Sequence, residues 1–349
     1  MSQLSPIPAS DVAESVRMAE TVWPELAESR LFITGGTGFI GRWLVSSILH
    51  ANKTKRLGLR ITVLTRAPNK FASEFPQWAS DEALELITGD VRTFVFPTTK
   101  FTHVIHGATD TSADAASRPV ELVDTIVGGT RHVLDLARES GARKFLLLSS
   151  GAIYGTQPAD LLSLAETYSG AGDTTDVRST YGQSKRVAEQ LCTAFNTKHD
   201  LDTRIARCFS FVGPHMNFDG HFAIGNFIRD AANGGEIQIQ GDGSPERSYL
   251  YGSDTSAWLL KILIEGKSGS VYNVGSDDAV TLVQLAERVA KHTSATKGVS
   301  ILGSTDKSDP HSRYIPDISR ARNELGLEVW TSLDESIRRT YQWLAQPKA

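Results

Sequence analysis

Cysteine is scarce in this 349-residue chain, which holds only Cys192 and Cys208. Two thiols cannot build a disulfide framework, and they suit a reducing compartment. No apolar run approaches the roughly 20 residues that span a bilayer, so no membrane partner is expected. The first 30 residues carry Asp11, Glu14, Glu20, Glu25 and Glu28 where a signal peptide would have its apolar region, and a cytoplasmic location is expected. Positive charge is not in excess: the net charge is −4 and the pI about 6.2, so the basic footprint of a nucleic-acid binder is missing. Internal repeats and low-complexity segments are absent as well. What remains is a 40% hydrophobic, 22% charged composition, that of an ordinary folded protein. The length suits two domains or one large α/β unit.

Val12, Val16, Ala19 and Trp23 fall on one face of an N-terminal helix that ends at Pro24. Asp11 and Glu14 have the spacing of a capping box. From residue 31 short apolar runs alternate with helical stretches. Strands are expected at 31–34, 61–65, 84–87, 103–106, 145–148 and 203–206, and helices at 40–50, 119–140 and 181–199. Apolar strands alternating with helices specify an α/β fold, a doubly wound parallel sheet of the Rossmann type. After about residue 208 Gly and Pro become dense and smaller α/β pieces follow, ending in a helix over 332–345. The expected division is an N-terminal helical extension (1–29), a dinucleotide-binding domain (30–207) and a smaller C-terminal α/β substrate domain (208–349), with parts of 245–262 returning to the first domain.

Thr34-Gly-Gly-Thr-Gly-Phe-Ile-Gly41 joins the first strand to the first helix. Gly35 permits the tight turn, Gly38 lets backbone approach a pyrophosphate, and Gly41 lets the helix pack closely. The helix N-terminus adjoining Phe39 and Ile40 offers free N–H groups to the phosphates. The second strand ends in Leu64-Thr65-Arg66, with no acid to grip the ribose hydroxyls of NAD. An Arg pairs instead with a 2′-phosphate, so Thr65 and Arg66 favour NADP, with NAD as the alternative. A solvated surface Arg is the competing reading. Asp90, before Val91, is placed to accept from the adenine amino group, or is a plain turn residue. Val91 and the Gly107-Ala108-Thr109 turn complete the expected cofactor set.

Tyr181 and Lys185 lie four residues apart on one helix face. A phenol is a poor base at neutral pH, and the nearby ammonium, helped by oxidised nicotinamide, is expected to bring its pKa toward the working range. Lys185 can also hold the nicotinamide ribose. Ser150 ends the fifth strand, where an open parallel sheet forms its ligand crevice, and can orient a substrate oxygen beside Tyr181.

The glycine loop, the SSGAIYG strand end at 149–155 and the YGQSK helix at 181–185 together make the chain resemble the extended short-chain dehydrogenase/reductases, the NAD-dependent epimerase/dehydratase family of sugar-nucleotide enzymes. Val212-Gly-Pro214, Gly241-Asp-Gly243 and Tyr272-Asn-Val-Gly275 extend the likeness. The resemblance implies a nucleotide-diphosphate sugar as substrate. It also implies a homodimer through a four-helix bundle of helices 119–140 and 181–199. Arg247 and Arg313 match family arginines that grip the diphosphate, and Asn226 resembles a residue that meets the nucleotide. Ser210 stands where many members carry an Asn on the diphosphate.

Two departures narrow the chemistry. Family 4,6-dehydratases carry Asp-Glu where Gly151 and Ala152 stand, and family UDP-glucuronate decarboxylases carry Glu at the Ala152 position. Neither residue here can move a proton. The expected function is therefore oxidoreduction at C4 of the sugar, as an epimerase or 4-ketoreductase. Alternatives are a dehydratase-like enzyme with atypical acid/base residues, a reductase of a non-sugar carbonyl, and a dinucleotide-sensing binding protein. His215 and His221 are too few for a metal site, so no metal is expected, and His221 is a candidate to line the sugar pocket.

Overall fold

The computed structural model describes residues 5–109, 117–220, 222–293, 297–303 and 312–346; His221 lies outside them. Its centre is a parallel sheet. The strands are β1 (Arg30–Thr34), β2 (Arg60–Thr65), β3 (Leu84–Thr88), β4 (His103–His106), β5 (Lys144–Ser150) and β6 (Asp202–Cys208), with Val271–Val274 added at the far edge. Across the sheet the order is β3-β2-β1-β4-β5-β6 and then Val271–Val274, every pairing parallel. The chain turns one way after β1 and the other way from β4. The carboxyl ends of these two neighbours therefore flank the crevice where such sheets bind ligands.

The central strands are buried on both faces, and alternation sends successive side chains to different cores. Leu31, Ile33, Leu146 and Leu148 join one cluster with Trp43, Ile48, Trp258 and Leu259. Phe32, Phe145 and Leu147 join another with Val133, Leu134, Ala188 and Cys192. Helices Phe39–Lys55 and Gly252–Glu265 thus cover one face, and Gly129–Ser140 and Thr180–His199 the other.

The N-terminal helix, Ala9–Met18, buries Val12 and Val16, and Ala19 and Trp23 continue the buried stripe. Hydroxyls of Ser15, Ser47 and Ser256 form a chain at 3.0 and 3.1 Å that stitches this helix to the first cover layer. Asp11 and Glu14 do not cap it. The helix starts at Ala9 after Pro8 with no side-chain cap, and Asp11 is buried, accepting from Tyr251 Oη at 2.6 Å and from Arg339 at 3.1 Å. Tertiary charge pairing has taken the carboxylates that local spacing assigned to the cap.

The 119–140 stretch is helical but interrupted. Pro119–Val123 and Gly129–Ser140 are α-helical, and Asp124–Gly128 between them is a π turn. Beyond residue 208, the helices Ala223–Ala232, Leu282–His292 and Leu333–Leu344 pack together beside small strand pairs. Among the described residues no helix is long and apolar enough to cross a membrane.

Candidate active site

The loop after β1 is built by contacts that only glycine allows. Gly35 has φ +75°, and a Cβ there would lie 2.6 Å from the Gly107 carbonyl. A Cβ on Gly41 would lie 2.2 Å from Gly35 O and 2.5 Å from Gly36 Cα, so the helix start is pressed onto the loop. Gly38 differs: a Cβ there would meet only Gly35 O, at an ordinary 3.4 Å. No protein atom demands glycine at 38, and its bare face looks outward. The helix begins at Phe39, followed by Ile40, with no side-chain cap on its first N–H groups.

Thr34 ties this loop to the segment after β4. Its Oγ1 accepts from the N–H groups of Gly107 and Ala108, at 3.2 and 3.1 Å, and lies 2.7 Å from His106 Nδ1. Thr130 gives its own hydrogen to Ile126 O at 2.6 Å and lies 3.0 Å from His106 Nε2. The network therefore assigns the hydrogen to Nε2 and makes Nδ1 the acceptor of the Thr34 hydroxyl. Burial pushes the imidazole down to about 3, so the ring is neutral. Thr109 Oγ1 is buried with no hydrogen-bond partner among the described residues. The orphaned hydroxyl, the open Gly38 face and the uncapped helix start fit a dinucleotide whose pyrophosphate meets the loop.

At the end of β2, Thr65 is buried and Arg66 is exposed. The Asp90 carboxylate is gripped by Arg92 through two bonds of 2.8 Å, and this holds it down at about 2. Val91 packs against Gly129, whose Cβ would come within 2.8 Å of it.

Ser150 ends β5, and its Oγ accepts from Ala152 N–H at 3.1 Å. The Thr180–His199 helix brings Tyr181 to Ser150 and sets Lys185 beneath, its Nζ donating to Leu148 O at 2.8 Å. The protein's own groups alone do not lower the Tyr181 phenol. Burial pushes the phenol up to about 12, against a lowering hydrogen bond from Ser150, and Lys185 Nζ stands 6.0 Å from the ring centroid. Burial likewise pushes the Lys185 ammonium down to about 8. Desolvation outweighs the attraction that helix spacing suggested.

Behind these residues lies a polar floor that sequence reading missed. Glu189, one turn beyond Lys185, accepts from Ser149 and receives the Arg207 fork at 2.7–3.2 Å. Arg207 also donates to Tyr154 Oη at 2.8 Å, and Tyr154 donates to Asn273 at 2.8 Å. The 181, 185, 189 helical spacing was the available signal for Glu189. A second phenol, Tyr314, also reaches Ser150, and no sequence signal marked it.

The expected substrate residues are not gathered equally. Glu246–Arg247 pairs in parallel with Arg313–Tyr314, placing Arg247 opposite Tyr314 and Arg313 opposite Glu246. Arg247 therefore shares the face of Tyr314, its NH1 anchored on the carbonyls of Glu246 and Ser312 at 2.8 and 3.0 Å. Arg313 is turned to the other face, its fork closed on Glu246 by two bonds of 3.1 Å. Asn226 accepts from Arg229 at 3.2 Å, and Ser210 O accepts from Leu250 N–H at 3.0 Å.

The profile of the NAD dependent epimerase/dehydratase family matches residues 31–275. A UDP-glucuronic acid decarboxylase of Arabidopsis thaliana is 33% identical over 312 residues, 88% of this chain and 86% of that one. One from Xenopus tropicalis is 29% identical over 320 residues, 91% and 73% of the two chains. Among solved structures, a UDP-glucose 4-epimerase from Thermotoga maritima superposes with TM-score 0.77 at 23% identity, over 90% of this chain and 98% of that one. A dTDP-glucose 4,6-dehydratase from Streptomyces venezuelae, with NAD bound, superposes with TM-score 0.75 at 24% identity, over 90% and 96%. The profile match and the Arabidopsis relative together settle the family question that the glycine loop, Ser150, Tyr181 and Lys185 raise: the chain belongs to the NAD dependent epimerase/dehydratase family.

Proposed function

We propose that this protein is an NADP-preferring enzyme that oxidises or reduces C4 of a nucleotide-diphosphate sugar, as an epimerase or 4-ketoreductase. The observation that carries the reading is the convergence of Ser150, Tyr181 and Lys185 beside the glycine loop, in a site where Gly151 and Ala152 supply no carboxylate. The nicotinamide cofactor, when bound, supplies the hydride chemistry. Gly35–Gly41, Val91 and Gly107–Thr109 hold it, and Lys185 holds its ribose. Ser150 orients the sugar oxygen. Tyr181 takes the C4 hydroxyl proton in oxidation and returns it in reduction. Burial keeps its resting hydroxyl protonated, so in the reductive direction the proton it must give is already in place. Arg247 binds the diphosphate, with Ser210 and Asn226 on the nucleotide side, whereas Arg313 is turned away and held by Glu246. Exposed Arg66 at the end of β2 meets the 2′-phosphate.

A second reading, decarboxylation of a nucleotide-linked uronic acid after oxidation at C4, is favoured by the Arabidopsis relative. Ala152, where such enzymes carry Glu, weighs against it. Assembly as a homodimer is supported by exposed Val120, Val123 and Val187, which lie on two packed helices.

The test is turnover with a panel of UDP- and dTDP-hexoses, their 4-keto forms and UDP-glucuronate, comparing the unmutated protein with Tyr181→Phe. The ring stays and the hydroxyl goes, so turnover should fall about 10²–10⁴-fold with nucleotide-sugar binding little changed. Lys185→Met should lose turnover and cofactor affinity together. Near-normal turnover in the Phe variant makes Tyr181 structural and ends this reading. Carbon dioxide release from UDP-glucuronate moves the assignment to the decarboxylase.

A further inference from the structure

Tyr314 enters the site from a distant part of the chain. Strand alternation turns it away from the Arg313–Glu246 pair and toward the end of β5. Its ring packs on Phe209, centroids 4.6 Å apart and planes at 34°. Its hydroxyl fills the space beside Gly151: a Cβ at 151 would lie 2.6 Å from Tyr314 Oη and 2.8 Å from Phe209 Cζ. Gly151 is thus bare because a second phenol occupies the room a side chain would need. Ser150 Oγ faces both Tyr181 and Tyr314.

Counting hydrogen-bond capacity decides how three hydroxyls share this corner. A serine oxygen has one hydrogen to give and two lone pairs. One lone pair of Ser150 is taken by Ala152 N–H at 3.1 Å. One acceptor position and one hydrogen remain for two phenols, both of which are protonated at neutral pH. Where both phenols bond this one oxygen, only one can donate to it and the other accepts from it. If Tyr181 donates, its hydrogen is tied up against the serine. If Tyr314 donates, the serine hydrogen points at the Tyr181 oxygen, and the Tyr181 hydrogen is left for the sugar.

We propose that Tyr314 is a positioning residue for Tyr181: its hydroxyl occupies the last acceptor position of Ser150, directing the serine hydrogen onto the Tyr181 oxygen and leaving the Tyr181 O–H for substrate. The proposal rests on the reading of Tyr181 as the proton-transfer group. The groups facing Tyr181 are Ser150, Tyr314, Lys185 and Cys208; those facing Tyr314 are Ser150, Tyr181, Cys208 and Arg247.

Tyr314→Phe keeps the ring on Phe209 and removes only the hydroxyl. It reopens the serine acceptor to the Tyr181 hydrogen, which stabilises the neutral phenol. The test follows Tyr181 ionisation in the full chain with saturating NADP⁺. Tyrosinate absorbance is read as the difference between each protein and its Tyr181→Phe counterpart, so no sugar substrate need be known. Tyr314→Phe should move this ionisation up by about one pH unit, the net worth of one hydrogen bond. In a Ser150→Ala background, the same substitution should move it far less, because the two residues act through one oxygen. An unchanged ionisation in Tyr314→Phe, or equal shifts with and without Ser150, overturns the proposal. A Tyr181→Phe protein that keeps normal turnover would instead overturn the reading beneath it. Those two failures are therefore distinct.

Discussion

His106 links the stability of the sheet to the loops proposed to hold the cofactor, and the link can be titrated. The residue sits on β4 between Thr34 of β1 and Leu147 of β5. Burial takes its imidazole from 6.5 down to about 3. The folded-state pKa is depressed, so the unfolded chain takes up a proton near pH 6.5 that the native ring refuses. Stability held by this ring is complete above that pH and is lost as pH falls toward 3. Each pH unit in the window costs about 1.4 kcal/mol, or about 2 kcal/mol between pH 6.5 and pH 5. Over the whole window the loss is on the order of 4–5 kcal/mol, a large fraction of an ordinary domain's stability. His103 and His215, each lowered by burial to about 4, act in the same direction, so the whole protein falls more steeply than one ring requires. His106→Gln isolates the one ring, since it keeps an amide of similar reach and removes the titration. Urea unfolding at pH 7 and pH 5, at one ionic strength, should show the gap between unmutated protein and variant narrowing by about 2 kcal/mol at the lower pH. A gap unchanged between the two pH values refutes the argument. It would mean that the native ring protonates as freely as the unfolded one.

The remaining predictions concern ligands. The unmutated protein should bind NADP more tightly than NAD, and Arg66→Ala should erase most of the difference; equal affinities before mutation, measured by calorimetry, sink the preference. Purified protein should not convert dTDP-glucose or CDP-glucose to the 4-keto-6-deoxy product, because Gly151 and Ala152 offer neither acid nor base, and appearance of that product by NMR would show another residue in their place. Gly41→Ala, with its Cβ 2.2 Å from Gly35 O, should lower both the melting temperature and cofactor affinity. Gly38→Ala, with 3.4 Å of clearance, should leave melting unchanged and still weaken the cofactor, and normal cofactor binding by this variant would mean that the open face at Gly38 is not the phosphate seat.

Much of the frame was legible because its signals are local. Short apolar-rich runs such as 61–65 and 145–148, placed between helical stretches, read as strands of a buried parallel sheet, and the glycine loop advertises its turn by composition. Tyr181 and Lys185 share a face by helical period alone. Signals failed where the answer depended on surroundings. Asp11 and Glu14 match a helix cap in sequence, yet Tyr251 and Arg339 claim Asp11 across the fold. Spacing put Lys185 near Tyr181, but whether the phenol moves up or down depends on how much water the fold removes, which spacing does not encode.

The sequence by itself determined the doubly wound sheet, the glycine turn and the residue types at the end of β5, since these follow from period, sterics and side-chain chemistry within short windows. Only the tertiary structure decided which partners those residues meet. It set His106 between Thr34 and Thr130, closed Arg313 on Glu246, and brought Tyr314 to Gly151 and Ser150. The physical reason is range. A hydrogen bond or a desolvation cost acts between groups that chain folding brings within a few ångströms, whatever their separation in sequence.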